Sequence, residues 1–397
     1  MTMPIDTNPI IELLGRRLRL AVIGGGPGSF IGAMHRAAAR LDDRFEIVAG
    51  ALSSDSRRSR EAGRALGLEA DRAYGNGLEL LDVEAAREDG ADVVAIMTPN
   101  DSHHEYSIAA LERGFDVICD KPMTNNLDEA LDLHHRVTET GLVFCLTHNY
   151  TGYPMVRQAR AMVEAGQLGE IRLVQVEYVQ GGNAVEQESR AELPWRLDPD
   201  RGGPSLVLGD IGSHAHNIAR FVSGLEVAEV SAEVGAIVPN REVHDFAGAM
   251  LHFAGGARGN FWVTQAAAGF DNNLRVRVCG SEGSLEWAQE QPTTLRFRPI
   301  DGPVETRTAN GPGTLPLAAR ASRMVTGHPE GYLEGFATIY ADAAEAIAAR
   351  KADTIADPLA MHFPTSKDGL LGVKFSAAAL ASSAANGAWT SSDLVAL

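Results

Sequence analysis

Between residues 18 and 147 the chain alternates between short apolar runs and helical patterns. The runs at 18–24, 45–52, 92–98, 115–119 and 142–147 have strand length, and helical periodicity fills 30–41, 56–66, 102–113 and 127–140. Short strands joined by helices in this order make a parallel sheet with right-handed crossovers. In an open sheet of that kind, ligands gather just past the carboxyl ends of the strands. The residues that follow each run are therefore where function is sought.

After the first run comes Gly24-Gly25-Gly26-Pro27-Gly28-Ser29-Phe30-Ile31-Gly32. Glycines here let the backbone approach a pyrophosphate, which sits at the next helix N-terminus. Gly24 and Gly26 fit the G-x-G-x-x-G pattern, but Ser29 fills its third slot and Gly32 comes three residues late, as if the loop carried an insertion. The turn predicts a dinucleotide site contributed by Gly24, Gly26, Pro27, Gly28, Ser29 and Phe30. The bland alternative is a glycine-rich turn without a ligand.

The second run should end at the adenosine ribose, where an NAD enzyme carries Asp or Glu. Here Ser53-Ser54-Asp55-Ser56-Arg57-Arg58 follow. Ser53, Ser54 and Arg58 suit a 2′-phosphate, so NADP is favoured over NAD. In the competing reading Asp55 takes the ribose and the arginines are solvated. After the third run, Pro99 stops the strand and Ser102 can cap the helix. Thr98, Pro99, Asn100 and His103 face the cofactor side, with Asn100 and His103 as ribose or carboxamide partners, or as ordinary turn and cap residues.

The fourth run ends in Asp120-Lys121-Pro122. An ammonium just past a buried strand can point into a cleft, and proline pushes the preceding residue toward an extended conformation. A surface lysine in a turn is the alternative.

The chain has 397 residues and is 45% hydrophobic, enough for two domains with cores of their own. A net charge of −17 argues against a nucleic-acid or anionic-membrane surface. The cysteines Cys119, Cys145 and Cys279 are widely separated, which suits a reducing, cytoplasmic compartment and no disulfide framework. No apolar stretch reaches the roughly 18 residues of a membrane helix. Residues 1–17 read as an extension outside the fold, 18–148 as a dinucleotide-binding domain and 149–397 as a second domain.

In that second half a helix is expected at 153–165, a strand at 171–179 and a polar loop from Gly181 to Gly203 containing Trp195 and Arg196. Strand-like runs follow at 226–238, 245–253, 258–265, 274–279, 284–287 and 294–298, as in an antiparallel meander. Helices return at 331–350 and 368–386. Asp210-Ile211-Gly212-Ser213-His214-Ala215-His216-Asn217 opens a helix, and residues four apart share a face. His214 is a candidate acid/base for a hydroxyl, Asp210 can bind substrate or bias the imidazole, and Lys121 can stabilise alkoxide character. His-x-His beside Asp210 also hints at a metal, but no further ligands cluster nearby, and none is predicted.

Together, Ala21-Val22-Ile23-Gly24-Gly25-Gly26, Thr98-Pro99-Asn100 with His103, Asp120-Lys121-Pro122, His148-Asn149-Tyr150 and Asp210-Ile211-Gly212-Ser213-His214 give the chain a clear likeness. It resembles the glucose–fructose oxidoreductase / inositol dehydrogenase / MocA family over about residues 18–350. The family usually has Glu-Lys-Pro where this chain has Asp120-Lys121-Pro122, and often Asp where Asn217 stands. The resemblance implies a Rossmann domain followed by an α/β domain on a large open, mainly antiparallel sheet. It implies hydride transfer between NAD(P) and a sugar, cyclitol or related polyol. Lys121, Asp210 and His214 would be catalytic, Asp120 and Lys121 would lie at the cofactor, and Asn149, Tyr150, Trp195, Arg196 and Asn217 would line the substrate site. It also implies a homodimer or homotetramer, in keeping with strands that carry apolar residues on both faces. Two other functions stand beside this one. One is a glycosidase or lyase that holds NAD and oxidises transiently, with a second acid from Glu186 to Glu192. The other is a nucleotide-sensing scaffold, disfavoured by the presence of Lys121 and His214.

Overall fold

The computed structural model describes residues 7–186 and 195–393. The chain forms two compact units: Met1–Met123, Glu129–Gly152 and Tyr332–Lys367 make one, and Thr124–Asp128, Tyr153–Gly331 and Asp368–Leu397 the other.

The first unit is built on five parallel strands, β1 (Leu18–Gly24), β2 (Phe45–Ala51), β3 (Val93–Met97), β4 (Asp116–Cys119) and β5 (Phe144–Leu146), in the order β2-β1-β3-β4-β5. The helices between them are α2 (Phe30–Leu41), α3 (Ser56–Ala65), α4 (Gly77–Ala86), α5 (His103–Glu112) and α6 (Leu127–Thr140). β3 and β4 are buried along their whole length, as expected of strands covered on both faces. Register pairs Gly24 with Met97, Ile96 with Cys119 and Cys119 with Leu146. The carboxyl ends of β1, β3, β4 and β5 thus lie level, and the residues after them leave the sheet along one edge. The order reverses direction between β1 and β3, the switch point where such sheets bind ligands.

Two expectations are corrected in this unit. Residues 8–17 are not an extension outside the fold. Asn8 caps α1 (Pro9–Leu14) by accepting from the Ile10 N–H at 3.1 Å, and Ile10 is only 1% exposed in the core. Arg16 and Arg17 fasten the following turn to Asp92 and Asp43, each with a contact of 2.6 Å. The second correction concerns α11 (Tyr332–Lys351), which the sequence reading gave to the C-terminal domain. Its Phe336, Ile339, Tyr340, Ala343 and Ile347 join Leu20, Phe45 and Met97 in one core. A helix apolar on nearly every side must be buried, and its alanines let it lie close against α2.

The second unit carries α7 (Pro154–Glu164), β6 (Ile171–Val179), α8 (Pro199–Gly202), a π-helical turn over Leu208–Gly212 and α9 (Ser213–Ser223). β7 (Val227–Gly235), β8 (Phe246–Phe253), β9 (Arg258–Thr264), β10 (Asn273–Gly280), β11 (Gly283–Ala288), β12 (Thr294–Pro299) and β13 (Glu305–Thr308) follow. α10 (Pro316–Arg320), α12 (Ser366–Ala384) and β14 (Thr390–Ser391) complete the elements. The nine strands run in the order β13-β12-β11-β10-β6-β9-β8-β7-β14. All pairs are antiparallel except β6 with β9, so the sheet is mixed: two meanders joined through a parallel pair. Val174, Val176 and Tyr178 alternate inward with Phe261 and Val263, while Leu173, Met250 and Trp262 on the opposite face are 55%, 49% and 42% exposed. Arg277 on that face pairs with Glu286 and donates to Gln175 at 2.8 Å.

Candidate active site

The turn after β1 is shaped for close backbone approach. A Cβ on Gly26 would collide with the Leu52 carbonyl, whereas Gly28, at φ +87°, has open space on that side. Ser29 caps α2, accepting from the Gly32 N–H at 3.1 Å, and its own N–H is bound to the Gly26 carbonyl at 3.0 Å. The third-glycine role falls to Gly32, whose hydrogen faces the Gly25 carbonyl with no room for a methyl group. Gly32 takes this role three residues later than the motif spacing, with Ser29 capping the helix between, as the expected insertion requires. Pro27 and Gly28 stand outermost, and Phe30, 67% exposed, leans on Tyr332 at 5.9 Å. These residues fit a dinucleotide pyrophosphate, which would meet the start of α2.

At the end of β2, Ser53 accepts from the Asp55 N–H at 3.1 Å, and Asp55 caps α3 by accepting from the Arg58 N–H at 2.7 Å. Ser54 and Arg58 are exposed, and the Arg58 side chain has no ion pair among the described residues. Arg57 pairs with Glu61 at 3.2 Å.

The turn after β3 is braced from within. Ser102 bonds Thr98 Oγ1 at 2.8 Å and the Pro99 carbonyl at 2.9 Å. His103 is fully buried, with Nδ1 2.7 Å from the Pro122 carbonyl and Nε2 3.0 Å from the Thr98 carbonyl. Both ring nitrogens therefore face backbone within the unit. His103 ties the Thr98 turn to the Lys121 turn and has no nitrogen left for a ribose or carboxamide. Thr98, Pro99 and Asn100 are half-buried at the edge.

Past β4, the Asp120 N–H completes the ladder to the Ile96 carbonyl at 2.8 Å. The Asp120 side chain turns inward: Thr147 donates to Oδ1 at 2.7 Å, and His35 Nε2 lies 3.6 Å from the same oxygen. Burial pushes this carboxyl upward, but His35, Lys121 and His103 together outweigh it and hold Asp120 well below the usual carboxylate range. Asp120 is thus a buried anion and a support, not a surface for ligand. Lys121 is half-buried, and its peptide bond to Pro122 is cis. Past β5, Asn149 is 1% exposed with neither side-chain amide atom hydrogen-bonded, and Tyr150 is buried beside it, its ring 6.2 Å from that of Tyr332. A buried amide with every polar atom unanswered needs a partner that the fold does not supply.

In the second unit Asp210 sits in the π-helical turn and His214 in the first turn of α9. Such turns reset helical phase and are frequent at functional sites. Asp210 Oδ2 accepts from Gln265 Nε2 at 2.7 Å; Gln265 in turn accepts from Asn183 at 3.0 Å and donates to Gln180 at 3.3 Å. Gln180 and Tyr178 both reach Asn272 Oδ1, at 2.5 and 2.7 Å, and the Tyr178 ring lies 6.4 Å from His214. Asn217 is 3% exposed, and its Oδ1 has no hydrogen-bond partner. His216 stacks on Phe375 at 4.5 Å, a packing position. Arg196 lies over the Trp195 ring at 5.1 Å. Of the acids from Glu186 to Glu192, Glu186 is held by Asn240, and residues 187–192 lie outside the described residues.

Sequence reasoning missed His35, Tyr340, Thr147, Gln180 and Gln265. Gln180 and Gln265 each come directly after a strand of the parallel pair, the same strand-end signal that found Lys121 in the first sheet. His35 is the one aromatic polar residue among the alanines of α2.

Comparison with known proteins completes the picture. A family model described as "Oxidoreductase family, NAD-binding Rossmann fold" matches residues 18–150, and one described as "GFO/IDH/MocA C-terminal domain" matches 156–286. The chain is 32% identical over 369 residues to the uncharacterized oxidoreductase YfiI of Bacillus subtilis (strain 168), covering 92% of this chain and 94% of that one. Among solved structures it is similar to an oxidoreductase from Sinorhizobium meliloti, with 46% identity, a TM-score of 0.85 and coverage of 94% and 99%. It is also similar to an inositol dehydrogenase homolog from Azotobacter vinelandii complexed with NADH and myo-inositol, with 33% identity, a TM-score of 0.87 and coverage of 95% and 98%.

Proposed function

Since the chain belongs to the GFO/IDH/MocA family of oxidoreductases, we propose that it oxidises a carbinol of a cyclitol, sugar or sugar derivative, or reduces the matching ketone, with NADP preferred to NAD. The observation that carries this reading is the common strand edge. The glycine turn, the Thr98 turn, Lys121 and Asn149 all leave the ends of strands held in one register.

Bound at that edge, the nicotinamide supplies the hydride acceptor or donor, and the protein supplies everything else. In oxidation the unprotonated imidazole of His214 takes the hydroxyl proton, and in reduction the imidazolium returns it. The ammonium of Lys121 stabilises negative charge that develops on a substrate oxygen. Asp210, fixed by Gln265, orients the substrate or the imidazole. The unanswered amide of Asn149 and the unanswered Oδ1 of Asn217 each suit a hydroxyl, which can both donate and accept. A site built on buried polar atoms discriminates strongly against a substrate that lacks the matching hydroxyl.

The preference for NADP rests on the end of β2. Asp55 is spent on capping α3, Ser53 and Ser54 leave room without negative charge, and the Arg58 guanidinium is free to meet a 2′-phosphate. The exposed apolar residues Leu173, Met250 and Trp262 on the second sheet support assembly as a homodimer or homotetramer, which light scattering would test.

The deciding experiment follows reduced-nicotinamide absorbance across a panel of cyclitols and sugars with each cofactor. Net formation of NADPH with at least one polyol is expected. Product formed with no net change in NADPH or NADH would replace this reading with the transient-oxidation glycosidase or lyase. Dissociation constants for both cofactors in Arg58→Ala address the preference separately: NADP should weaken about tenfold to a hundredfold, NAD hardly at all.

A further inference from the structure

We propose that His35 and Tyr340 are positioning residues for Lys121, acting through the buried carboxylate of Asp120. The inference rests on the catalytic role given above to Lys121.

His35 lies on α2, the helix whose N-terminus closes the glycine turn, and is 1% exposed. Tyr340 lies on α11 and is fully buried. Their contact is 2.7 Å, Tyr340 OH to His35 Nδ1. Burial, with added repulsion from the Asp120 carboxylate, pushes the phenol well above its ordinary range, so it keeps its proton. A phenol that donates to Nδ1 of a neutral imidazole leaves the ring proton on Nε2, the nitrogen 3.6 Å from Asp120 Oδ1. The proposed direction is Tyr340 O–H to His35 Nδ1, with His35 Nε2–H facing Asp120. Thr147 donates to that oxygen from the other side at 2.7 Å. The edges of Phe336 and Tyr340 hold the imidazole plane, with ring centres 4.9 and 5.8 Å away.

A carboxylate buried this deeply is costly unless donors surround it. Thr147 meets that need with a hydrogen bond and His35 with a ring nitrogen 3.6 Å away, and together they fix the side chain immediately before Lys121 in the chain. His103 secures the other flank through the Pro122 carbonyl. Lys121 thus stands between two residues that are locked, one by α2 and α11, the other by α5. The remaining titratable groups at this corner are His103, Lys121, Cys119 and Cys145, with Asp342 next to Cys145. Burial pushes both thiols up, Cys145 especially, so neither contributes charge. The arrangement also joins the cofactor turn to the lysine, since α2 carries both Ser29's cap and His35.

The test uses Tyr340→Phe, which is nearly isosteric, His35→Gln, which can accept from Tyr340 and donate to Asp120, and His35→Phe, which can do neither. Tyr340→Phe should lower kcat about tenfold to a hundredfold, with KM and cofactor Kd within about twofold. Imidazole nitrogen NMR of the cofactor-free protein should show the His35 proton on Nε2 in the wild type and shared with Nδ1 in Tyr340→Phe. His35→Gln should retain most of the turnover that His35→Phe loses. In ketone reduction, where protonated His214 is the active form, the acid loss of activity in His35→Phe should begin at a higher pH than in the wild type, because Asp120 then takes a proton sooner. A structural role alone would change thermal stability and leave that limb in place. Wild-type kcat and tautomer in Tyr340→Phe, or His35→Gln as impaired as His35→Phe, overturns the inference. Lys121→Ala is the control. If it loses turnover while Tyr340→Phe does not, only this inference falls; if it keeps turnover, the role of Lys121 falls and this inference with it.

Discussion

The two units stabilise their key carboxylates by opposite means. Asp120 is enclosed by ionisable and hydroxyl groups, His35, Thr147 and the neighbouring Lys121 and His103, and is held as a buried anion. Asp210 is half-buried and hangs on a chain of amides, Gln265, Gln180 and Asn272. A charge answered by other charges is fixed in its ionisation and sensitive to any partner that titrates. A carboxylate that accepts from an amide keeps that contact across pH, because amides do not titrate. The first arrangement suits a scaffold beneath a catalytic group, the second a group that itself meets substrate.

The largest effect should come from the group that the first arrangement supports. Lys121→Ala is expected to lower kcat by about a hundredfold to ten-thousandfold, with cofactor Kd within about twofold. Stopped-flow turnover and fluorescence titration of the cofactor separate the two quantities. Near-normal kcat would show that Asp120 and its partners support the fold alone.

His214→Gln should cost about a hundredfold in kcat and remove the pH dependence that an acid/base imidazole imposes. Oxidation by the wild type should fall off as pH is lowered and ketone reduction as pH is raised. A limb that persists unchanged in His214→Gln would move the acid/base role to Lys121 and leave His214 a hydrogen-bond partner for substrate.

Gln265→Leu sharpens the comparison from the second side. It removes the 2.7 Å donor to Asp210 without changing any charge. A hydrogen bond to a charged group contributes about 1.5–3 kcal/mol, so kcat/KM should fall about tenfold to a hundredfold, mainly through KM if Asp210 binds substrate. Unchanged kcat/KM would mean that the amide chain only packs the sheet end.

The two units also differ in how much of them the sequence shows. In the first, each apolar run is bounded by a turn residue, and one rule about strand ends leads to Gly24, Thr98 and Lys121, while Asn149 entered through the family resemblance. What that rule leaves out is any contact between distant segments. Ser29 occupies the third motif slot by spacing, yet the close approach is made by Gly32, because the cap sets where the helix starts. α11 is alanine-rich and apolar nearly all round, so its pattern announces burial without saying against which sheet. His35 was one histidine in a helix until Tyr340, 305 residues away, was placed against it. In the second unit the strands were visible, but Gln180 fell just outside the 171–179 run and Gln265 read only as the last residue of the 258–265 run. Their meaning depends on β6 pairing with β9 in parallel, which no local pattern encodes.

The smallest effect tests whether charge compensation in the first unit follows burial or partners, at the other end of its sheet. Asp92 and Asp116 stand at or just before the starts of adjacent strands β3 and β4, 6% and 0% exposed. Burial pushes the Asp92 carboxyl up, but Arg16, the Arg19 N–H and Lys351 outweigh it, and the group titrates below its ordinary range. For Asp116 burial wins over Arg350 and the Val143 N–H, and the group titrates above that range. The two must act oppositely on stability. Asp92 stabilises the fold above the carboxylate's unfolded pKa of about 3.9, and that contribution is lost as pH falls through its lower folded value. Asp116 binds its proton more readily in the folded state. Its contribution is present below the unfolded pKa and is lost as pH rises through the higher folded value. Between about pH 6 and about pH 3, the fall in Tm should therefore become shallower in Asp92→Asn and steeper in Asp116→Asn. Each change should be about 2–4 °C per unit of pKa shift removed. Calorimetry across that range reads both. Slopes that move in the same direction would show that partner count, not the balance of burial against partners, sets the ionisation of these two groups.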